Sequence, residues 1–563
     1  MTSDRTEEVE IVGESAGPGR NKAAIASVDE PEMKAKVSEV LNRWPACGLA
    51  VGVIRNGSFE WFYGHGVSDK GSHTPVTQDT VFRIGSITKT FTAIAVMQLW
   101  EQELLDLDAP AHNYLHSYQL IPASPAFRPA TVRHLLTHTA GIGELRDFSD
   151  LLRPRGGLAA KVGDVSESLS GYYQGGLRIE VEPGTKWAYA NHGFATLGQI
   201  IEDVSGEPFD RYLREHVFGP LGMEDTDLVR SERIRRRLAT GYVLRSRGLK
   251  TVTDRDIALP GAGSIFSTTK DMARYVVALL NGGANDHGSV LKSDTLAQMF
   301  EPQYQPDPRI PGMGLAFLRG KEGDHPTIGH GGAWSGFISQ LVLAPDEGIG
   351  VIAFSNTRST APIQIGKTLL RRLLDLPEDT VRTDIPEHPE RWDEICGWYS
   401  PDPGPLTNAR VRAVVGAGVE VLFRRGHLTL RGLTPLPPLR RGVRLHPDDG
   451  NDPYVFRTDL SEVGGGTQQV VFSHEPATGK TFLHMGMMLR LSKRPTIRNP
   501  RPWANGALIA ATVLAARRRH SERADRGPRN AGFRMLGFVC RDGHRVSPSE
   551  RCPGARRGFV RRE

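Results

Sequence analysis

Cysteine is scarce in this sequence. The 563 residues contain only 4 cysteines, namely Cys47, Cys396, Cys540 and Cys552. So few cysteines in so long a chain exclude a small scaffold held together by disulfides. Cys540, His544 and Cys552 offer three ligands to a metal, but a structural zinc site requires four. We therefore expect neither a disulfide framework nor a metal.

Long apolar runs are also missing. The nearest to one, ALIAATVLAA at 507–516, is well short of the roughly 18 apolar residues that span a bilayer. The N-terminus, MTSDRTEEVEIVGESAG, is acidic and lacks the basic start and apolar centre of a signal peptide. We expect a cytoplasmic protein without a transmembrane segment.

Lysine is absent beyond residue 500, where arginine is abundant. Residues 501–563 contain 15 Arg and 5 Asp or Glu, a net charge of +10, whereas the whole chain carries only +6. The basic character therefore belongs to the tail and says nothing about a ligand of the main body. The tail also lacks the interleaved aromatic residues of a single-strand binder, so no nucleic-acid partner is expected.

Periodicity divides the chain into four parts. Residues 1–30 are polar and without periodicity, which predicts disorder. Residues 31–378 begin with two strand-like runs joined at Asn56-Gly57, continue with helical patterns and end with two more strands and a helix. This order predicts an α+β domain, in which an antiparallel sheet is flanked by helices and completed by the two ends of the domain. Residues 390–495 alternate in short strands typical of a small β-barrel, and the Arg-rich residues 496–563 are predicted to be largely disordered.

A serine and a lysine stand one helical turn apart in the run FRIGSITKTFTA. If a helix begins near Ser86, the i, i+3 spacing places Lys89 on the same face. Burial can lower the pKa of a lysine from about 10.4 far enough for it to accept a proton near neutrality. The pair is therefore a candidate for a serine nucleophile activated by a neighbouring lysine. The alternative is an N-cap serine followed by a lysine that snorkels to solvent.

Two further runs carry polar groups suited to the same chemistry. Tyr189 and Asn191 stand just before an amphipathic helix, and a tyrosine that faces an ammonium group is a candidate general base. His330, Gly331 and Gly332 precede the late strands, where glycines allow backbone N–H groups to approach a ligand.

These runs resemble the serine β-lactamase and penicillin-binding-protein superfamily, specifically its class C β-lactamase and D-aminopeptidase branch. The family's Ser-x-x-Lys, Tyr-x-Asn and Lys/His-x-Gly elements match Ser86–Lys89, Tyr189–Asn191 and His330–Gly332 in the same order. The flanking runs VFRIGSITKTFTA, TVRHLLTHTAGI, FGPLGMEDT and GSIFSTTKDMARY extend the likeness over about residues 33–375. The resemblance implies a β-lactamase/transpeptidase-like fold with an inserted all-α subdomain, followed by a lipocalin-like barrel.

The resemblance also implies roles for the residues. Ser86 would be the acylated nucleophile, while Lys89 and Tyr189 would transfer protons. Asn191 would orient Lys89 and the substrate. The pocket would be completed by the strand from His330 to Gly332, and the oxyanion hole by the N–H groups of Ser86 and Ala333. No cofactor is implied.

His330 departs from the pattern of true β-lactamases, which usually have a lysine there. A histidine with a pKa near 6.5 is largely neutral at pH 7.5 and gains charge toward pH 6. The sequence therefore favours a serine hydrolase acting on a carboxylic ester or small amide. The alternatives are a β-lactamase or D-amino-acid peptidase, and an inactive binding protein on the same scaffold.

Two other motifs are interpreted as non-catalytic. GESAG at 13–17 matches the Gly-x-Ser-x-Gly elbow of α/β-hydrolases, but only twelve residues precede it and Pro18-Gly19 disfavours the helix that an elbow requires. His138 lies in the run THTAGI, for which the family resemblance implies a structural turn. His134 is expected to be a packed helix residue, because two histidines four apart without a third ligand do not make a zinc site.

Overall fold

A seven-stranded antiparallel sheet forms the centre of the molecule. The computed structural model describes residues 28–501 apart from 154–156, 163–167, 402–406, 408–415, 435, 477 and 487–488. The strands of the sheet are β1 (Gly48–Arg55), β2 (Ser58–Asp69), β3 (Thr74–Pro75), β4 (Leu318–Glu322), β5 (His325–Trp334), β6 (Phe337–Ala344) and β7 (Ile349–Ser355). Their spatial order is β4-β5-β6-β7-β1-β2-β3. Strand β1 pairs with β7, so the two ends of the domain complete the sheet as the sequence predicts.

Strand β1 is buried on both faces because the sheet is covered by helices on both sides. Leu49, Val51 and Val53 pack into one apolar cluster, whereas the alternate residues Ala50 and Ile54 pack into another. The α-helices of the described residues are α1 (Glu30–Arg43), α2 (Thr88–Glu101), α3 (Val132–Leu136), α4 (Leu169–Tyr172), α5 (Asn191–Ser205), α6 (Phe209–Leu213), α7 (Glu232–Arg237), α8 (Pro260–Gly263), α9 (Thr269–Leu280), α10 (Ser293–Phe300), α11 (Ala361–Leu373), α12 (Trp392–Ile395) and α13 (Pro437–Arg441). Helices α1 and α11 cover the face that carries Leu49, Val51 and Val53. Helices α2 and α9 pack on the opposite face, which carries Ala50 and Ile54.

Helix α2 is buried on every side. All of residues 88–99 are buried, without the polar stripe of a surface helix. This part of the helix therefore lies within the domain, and a charged side chain among residues 88–99 cannot reach bulk water through an exposed helix face.

The long insertion between β3 and β4 is helical with short strand pairs, not all-α as expected. Each strand in these pairs has only two to four residues, too few for alternation to reveal them in the sequence. The pairs are Phe82–Arg83 with Phe266–Ser267, Ala159–Ala160 with Asp256–Ile257, Leu120–Pro122 with Leu177–Ile179, Tyr242–Arg245 with Gly248–Thr251, and Ala284–Asn285 with Gly288–Ser289.

A second sheet of nine strands follows the first along the chain. Its strands are β8 (Gly397–Pro401), β9 (Val419–Arg424), β10 (His427–Gly432), β11 (Val443–Arg444), β12 (His446–Pro447), β13 (Val455–Asp459), β14 (Thr467–Glu475), β15 (Lys480–Met485) and β16 (Leu489–Arg494). They run in the order β11-β10-β9-β8-β16-β15-β14-β13-β12, an antiparallel sheet that curls into a nearly closed barrel. Apolar side chains such as Tyr399, Leu430 and Phe472 form its core.

Polar and apolar contacts join the barrel to the rest of the described chain. Arg309 pairs with Asp452 at 2.9 Å and donates to the carbonyl of Phe472 in the barrel. Ile310 packs beside them against Val455 and Val471. The barrel therefore has a defined interface with the part of the chain that carries the seven-stranded sheet.

Several sequence motifs cannot be placed. The GESAG run, the group Cys540, His544 and Cys552, and the arginine-rich residues beyond Arg501 lie outside the described residues. Within the described residues, we find no helix that has both the length and the apolar content needed to cross a membrane.

Candidate active site

Ser86 and Lys89 lie together at the start of the buried helix α2. Ser86 belongs to a 3-10 turn, Gly85–Ile87, so the α-helix begins two residues later than expected. The i, i+3 spacing nevertheless brings Lys89 Nζ to 3.1 Å from Ser86 Oγ. The Lys89 residue is 0% exposed, so its side chain does not snorkel to solvent.

Two further oxygens hold the ammonium group of Lys89. Its Nζ donates to Asn191 Oδ1 at 2.8 Å and to the carbonyl of Ala262 at 2.6 Å. Asn191 is the first residue of α5, and Ala262 belongs to the short helix α8. Because these oxygens and Ser86 Oγ are neutral, they fix the position of the lysine without neutralising its charge. An amine held against a serine hydroxyl in this way is suited to exchange a proton with it.

Tyr189 lies beside the same ammonium group. Lys89 Nζ is 4.9 Å from the centroid of the Tyr189 ring and 5.6 Å from that of Phe194. Aromatic faces at this distance attract a cation. Tyr189 is half-buried and directly precedes Ala190, the N-cap of α5, so the helix that carries Asn191 also positions the tyrosine.

Strand β5 provides an open edge opposite Ser86. Its pairing with β4 stops at Gly329, whereas its pairing with β6 continues to Trp334. Within these two ladders, residues 330–334 therefore pair on one side only, and Ala333 is exposed. An extended substrate can add to a strand edge of this kind through main-chain hydrogen bonds.

Gly85 allows the turn that carries Ser86 to approach this edge. It has a φ of 53°, in the left-handed region that favours glycine. A Cβ at Gly85 would lie 2.8 Å from the backbone nitrogen of Ala333 and 3.3 Å from Gly332 Cα. The turn that carries Ser86 and the backbone nitrogen of Ala333 are thus in close contact.

His330 lies on β5 but is buried, with 3% of its surface exposed. Its Nδ1 lies 2.6 Å from the carbonyl of Gly331, to which it donates. Burial, with a smaller contribution from the charge of Lys89, lowers the pKa of His330 to about 3. The sequence-based expectation of an ordinary pKa near 6.5, and of a charge gained toward pH 6, is therefore wrong. The physical reason is desolvation, which sequence spacing does not reveal.

An ion cluster around the buried Arg83 lies near the strand edge and was not expected from the sequence. Arg83, which is 2% exposed, pairs with Asp254 at 3.0 Å and Asp256 at 2.8 Å. Between these two carboxylates, the carbonyl of Arg255 accepts a hydrogen bond from the indole of Trp334 at 2.8 Å. The cluster therefore connects the strand that leads into Ser86 with the end of β5.

The contact of Lys89 with the Ala262 carbonyl was likewise not expected from the sequence. The small residues within the run Pro260–Gly263 could have indicated it, because small residues permit close backbone approach. A Cβ at Gly261 would lie 2.4 Å from the carbonyl oxygen of Phe194. Only a chain without a side chain at this position brings α8 so close to α5 and to Lys89.

Known proteins share this architecture. The family model described as Beta-lactamase matches residues 38–376. The D-alanyl-D-alanine-carboxypeptidase/endopeptidase AmpH of Escherichia coli (strain K12) is 26% identical over 345 residues, 58% of this chain and 85% of that protein. Esterase EstB of Burkholderia gladioli is 29% identical over 215 residues, 37% of this chain and 54% of that protein.

A solved structure extends the likeness beyond the matched family region. The octameric penicillin-binding protein homologue from Pyrococcus abyssi has a TM-score of 0.55 and 24% sequence identity, and the match covers 83% of this chain and 100% of that one. At this identity the likeness shows the fold alone.

Proposed function

The chain belongs to the beta-lactamase family, whose members are serine hydrolases, and from this premise we propose that it hydrolyses a carboxylic ester or small amide through an acyl-enzyme on Ser86. The observation that carries the proposal is the position of Lys89 Nζ, buried and 3.1 Å from Ser86 Oγ. The half-buried Tyr189 ring and the open edge of β5 complete the arrangement.

In the proposed acylation step, one member of the Lys89–Tyr189 pair is deprotonated, as a neutral amine or a phenolate, when Ser86 Oγ attacks the carbonyl carbon of the substrate, and that group takes up the serine proton. The carbonyl π electrons move to the oxygen, which the N–H groups of Ser86 and Ala333 stabilise. Collapse of this intermediate breaks the bond to the leaving group, which takes the proton from the same pair. Water then attacks the acyl-enzyme, with Tyr189 as the general base, and releases the acid and Ser86.

The buried, neutral His330 favours a substrate without a carboxylate beside the reacting bond. A lysine at this position would supply fixed positive charge, whereas the imidazole supplies none near neutral pH. An anionic substrate would therefore lose a charge-assisted hydrogen bond there. EstB, named as an esterase, is in line with this choice. AmpH, named as a D-alanyl-D-alanine-carboxypeptidase, supports the alternative of a D-amino-acid peptide or β-lactam substrate.

Intact-mass labelling tests the proposal. A fluorophosphonate and a penicillin are each incubated with the wild type, Ser86→Ala and the control Ser15→Ala, which changes the serine of the GESAG run. We expect fluorophosphonate to label the wild type and Ser15→Ala at one site and Ser86→Ala not at all. Labelling by penicillin as well would favour the peptidase or β-lactamase alternative. Labelling by neither probe would favour an inactive scaffold, and labelling of Ser86→Ala would contradict the proposed nucleophile.

A further inference from the structure

The turn around His138 lies directly behind Tyr189. His138 has a φ of 57°, in the left-handed region that residues other than glycine rarely adopt. Its side chain is buried, with 2% of the residue exposed. A conformation of this kind persists only where its surroundings stabilise it, and such positions cluster at functional sites.

Three contacts of His138 hold the segment on both sides of Tyr189. The backbone N–H of Ala188 donates to the carbonyl of His138 at 2.8 Å. The backbone N–H of Ala190 donates to His138 Nδ1 at 3.2 Å. The imidazole also packs on the Tyr189 ring, with 4.4 Å between the ring centroids. The residues immediately before and after the tyrosine are thus both bound to one histidine.

The hydrogen bond from Ala190 fixes the protonation state of His138. Because Nδ1 accepts, it cannot carry a proton, so the neutral ring carries its proton on Nε2. Burial, with smaller effects of Lys89 and His330, holds the pKa of His138 well below its usual range. The acceptor therefore remains available at the pH values at which the enzyme would work.

We propose that His138 is a positioning residue, which holds Tyr189 against Lys89 through the amides of Ala188 and Ala190. This inference rests on the proposed function, in which Tyr189 transfers protons. It assigns to the turn more than the structural role that the sequence resemblance implies. His138 itself does not touch the reacting atoms. It acts by fixing the tyrosine, since a displacement of about 1 Å is enough to reduce a rate roughly a hundredfold.

A matched pair of variants isolates the acceptor. His138→Asn keeps an acceptor near the position of Nδ1, whereas His138→Gly removes it. Both residues tolerate the left-handed conformation and both remove the imidazole ring, so the pair differs mainly in the hydrogen bond to Ala190. Hydrolysis of a neutral aryl ester is measured from pH 5 to 9, with the rates normalised to sites titrated by a fluorophosphonate.

We expect His138→Asn to keep kcat within roughly fivefold of the wild type and to keep the shape of its pH profile. His138→Gly should lose roughly a hundredfold in kcat with little change in KM, and the apparent pKa of its kcat profile should move because Tyr189 no longer lies against Lys89. Equal losses in the two variants, or a wild-type kcat and pH profile in His138→Gly, would overturn the proposal.

Hydrogen exchange provides a readout that does not depend on catalysis. The Ala190 amide should exchange faster in His138→Gly than in the wild type, and at nearly the wild-type rate in His138→Asn. Unchanged exchange in His138→Gly would show that the acceptor does not hold the segment. If the wild type hydrolyses no ester and takes up no probe, the proposed function fails. The exchange rates would still decide whether His138 fixes the chain around Tyr189.

Discussion

Replacing His330 by lysine tests whether this position selects the charge of the substrate. The change replaces the neutral imidazole on β5 by a lysine, whose longer and flexible side chain can extend from the buried position and keep its ammonium group hydrated. The assay is the ratio of acylation rates for a neutral ester and for a penicillin, measured at pH 6 and at pH 7.5. Because both rates depend on the same Lys89 and Tyr189, the ratio cancels the titration of the catalytic groups.

The structure determines the size of the expected effects. With a pKa of about 3, His330 is protonated in roughly one molecule in a thousand at pH 6. The wild-type ratio should therefore be the same at the two pH values. In His330→Lys, a charge-assisted hydrogen bond to the penicillin carboxylate contributes about 1.5–3 kcal/mol, which should shift the ratio toward penicillin by roughly ten- to a hundredfold.

His330→Gln is the matched control, since it is polar, uncharged and similar in length. We expect it to leave the ratio within about threefold of the wild type. Lysine at a position that is only 3% exposed in the wild type should also lower the stability, so rates are expressed per titrated site. If the lysine and glutamine variants give the same ratio, His330 does not face the substrate. If the wild-type ratio changes severalfold between pH 6 and 7.5, the imidazole titrates there and the burial argument is wrong.

Two further predictions concern stability and domain organisation. Within the described residues, trypsin should first cut the segment between the two sheets at Arg382, which is exposed. The resulting fragments should elute together at low salt because Arg309 pairs with Asp452 across the interface. Fragments that have each lost their circular dichroism would contradict the prediction that residues 390–495 fold as a separate domain. The free energy of unfolding should fall by about 1.6 kcal/mol from pH 6.5 to pH 5 for each histidine buried like His192, whose folded pKa is about 3, because only the unfolded state gains a proton there. Asp271, with its pKa raised to about 6, acts in the opposite direction, so a denaturant titration of His192→Gln against the wild type measures the histidine's share.

The sequence predicted those features of the fold that depend on local patterns. The antiparallel sheet, its completion by the two ends of the domain and the barrel-like second sheet are confirmed. The Asn56-Gly57 turn is also present, with both residues in the left-handed conformation that such a hairpin requires. The strands and the hairpin are each set by a pattern within about ten neighbouring residues, whereas the completion of the sheet follows from the order of the elements along the chain.

The environment of the site depended on packing between distant segments and was not predictable from spacing. Ser86 and Lys89 are close because a helical turn separates them, whereas Ala262 reaches Lys89 from 173 positions along the chain. The burial of His330 depends likewise on the elements packed around β5, and it removes the protonation of the ring that was expected toward pH 6. Roles for the site residues remain proposals, which the variants above are designed to test.

The location of Lys89 explains why such distant segments must meet. An ammonium group on a helix buried on every side cannot be hydrated through an exposed helix face, so the fold has to supply its hydrogen-bond acceptors. The Ala262 carbonyl and the Asn191 amide do this, and both come from helices packed against α2. Ser86 Oγ is a further acceptor and, unlike the Ala262 carbonyl and the Asn191 amide oxygen, is chemically able to act as a nucleophile. The contacts that satisfy the buried charge thereby also direct it at the serine, so stability of the core and activation of the proposed nucleophile require the same geometry.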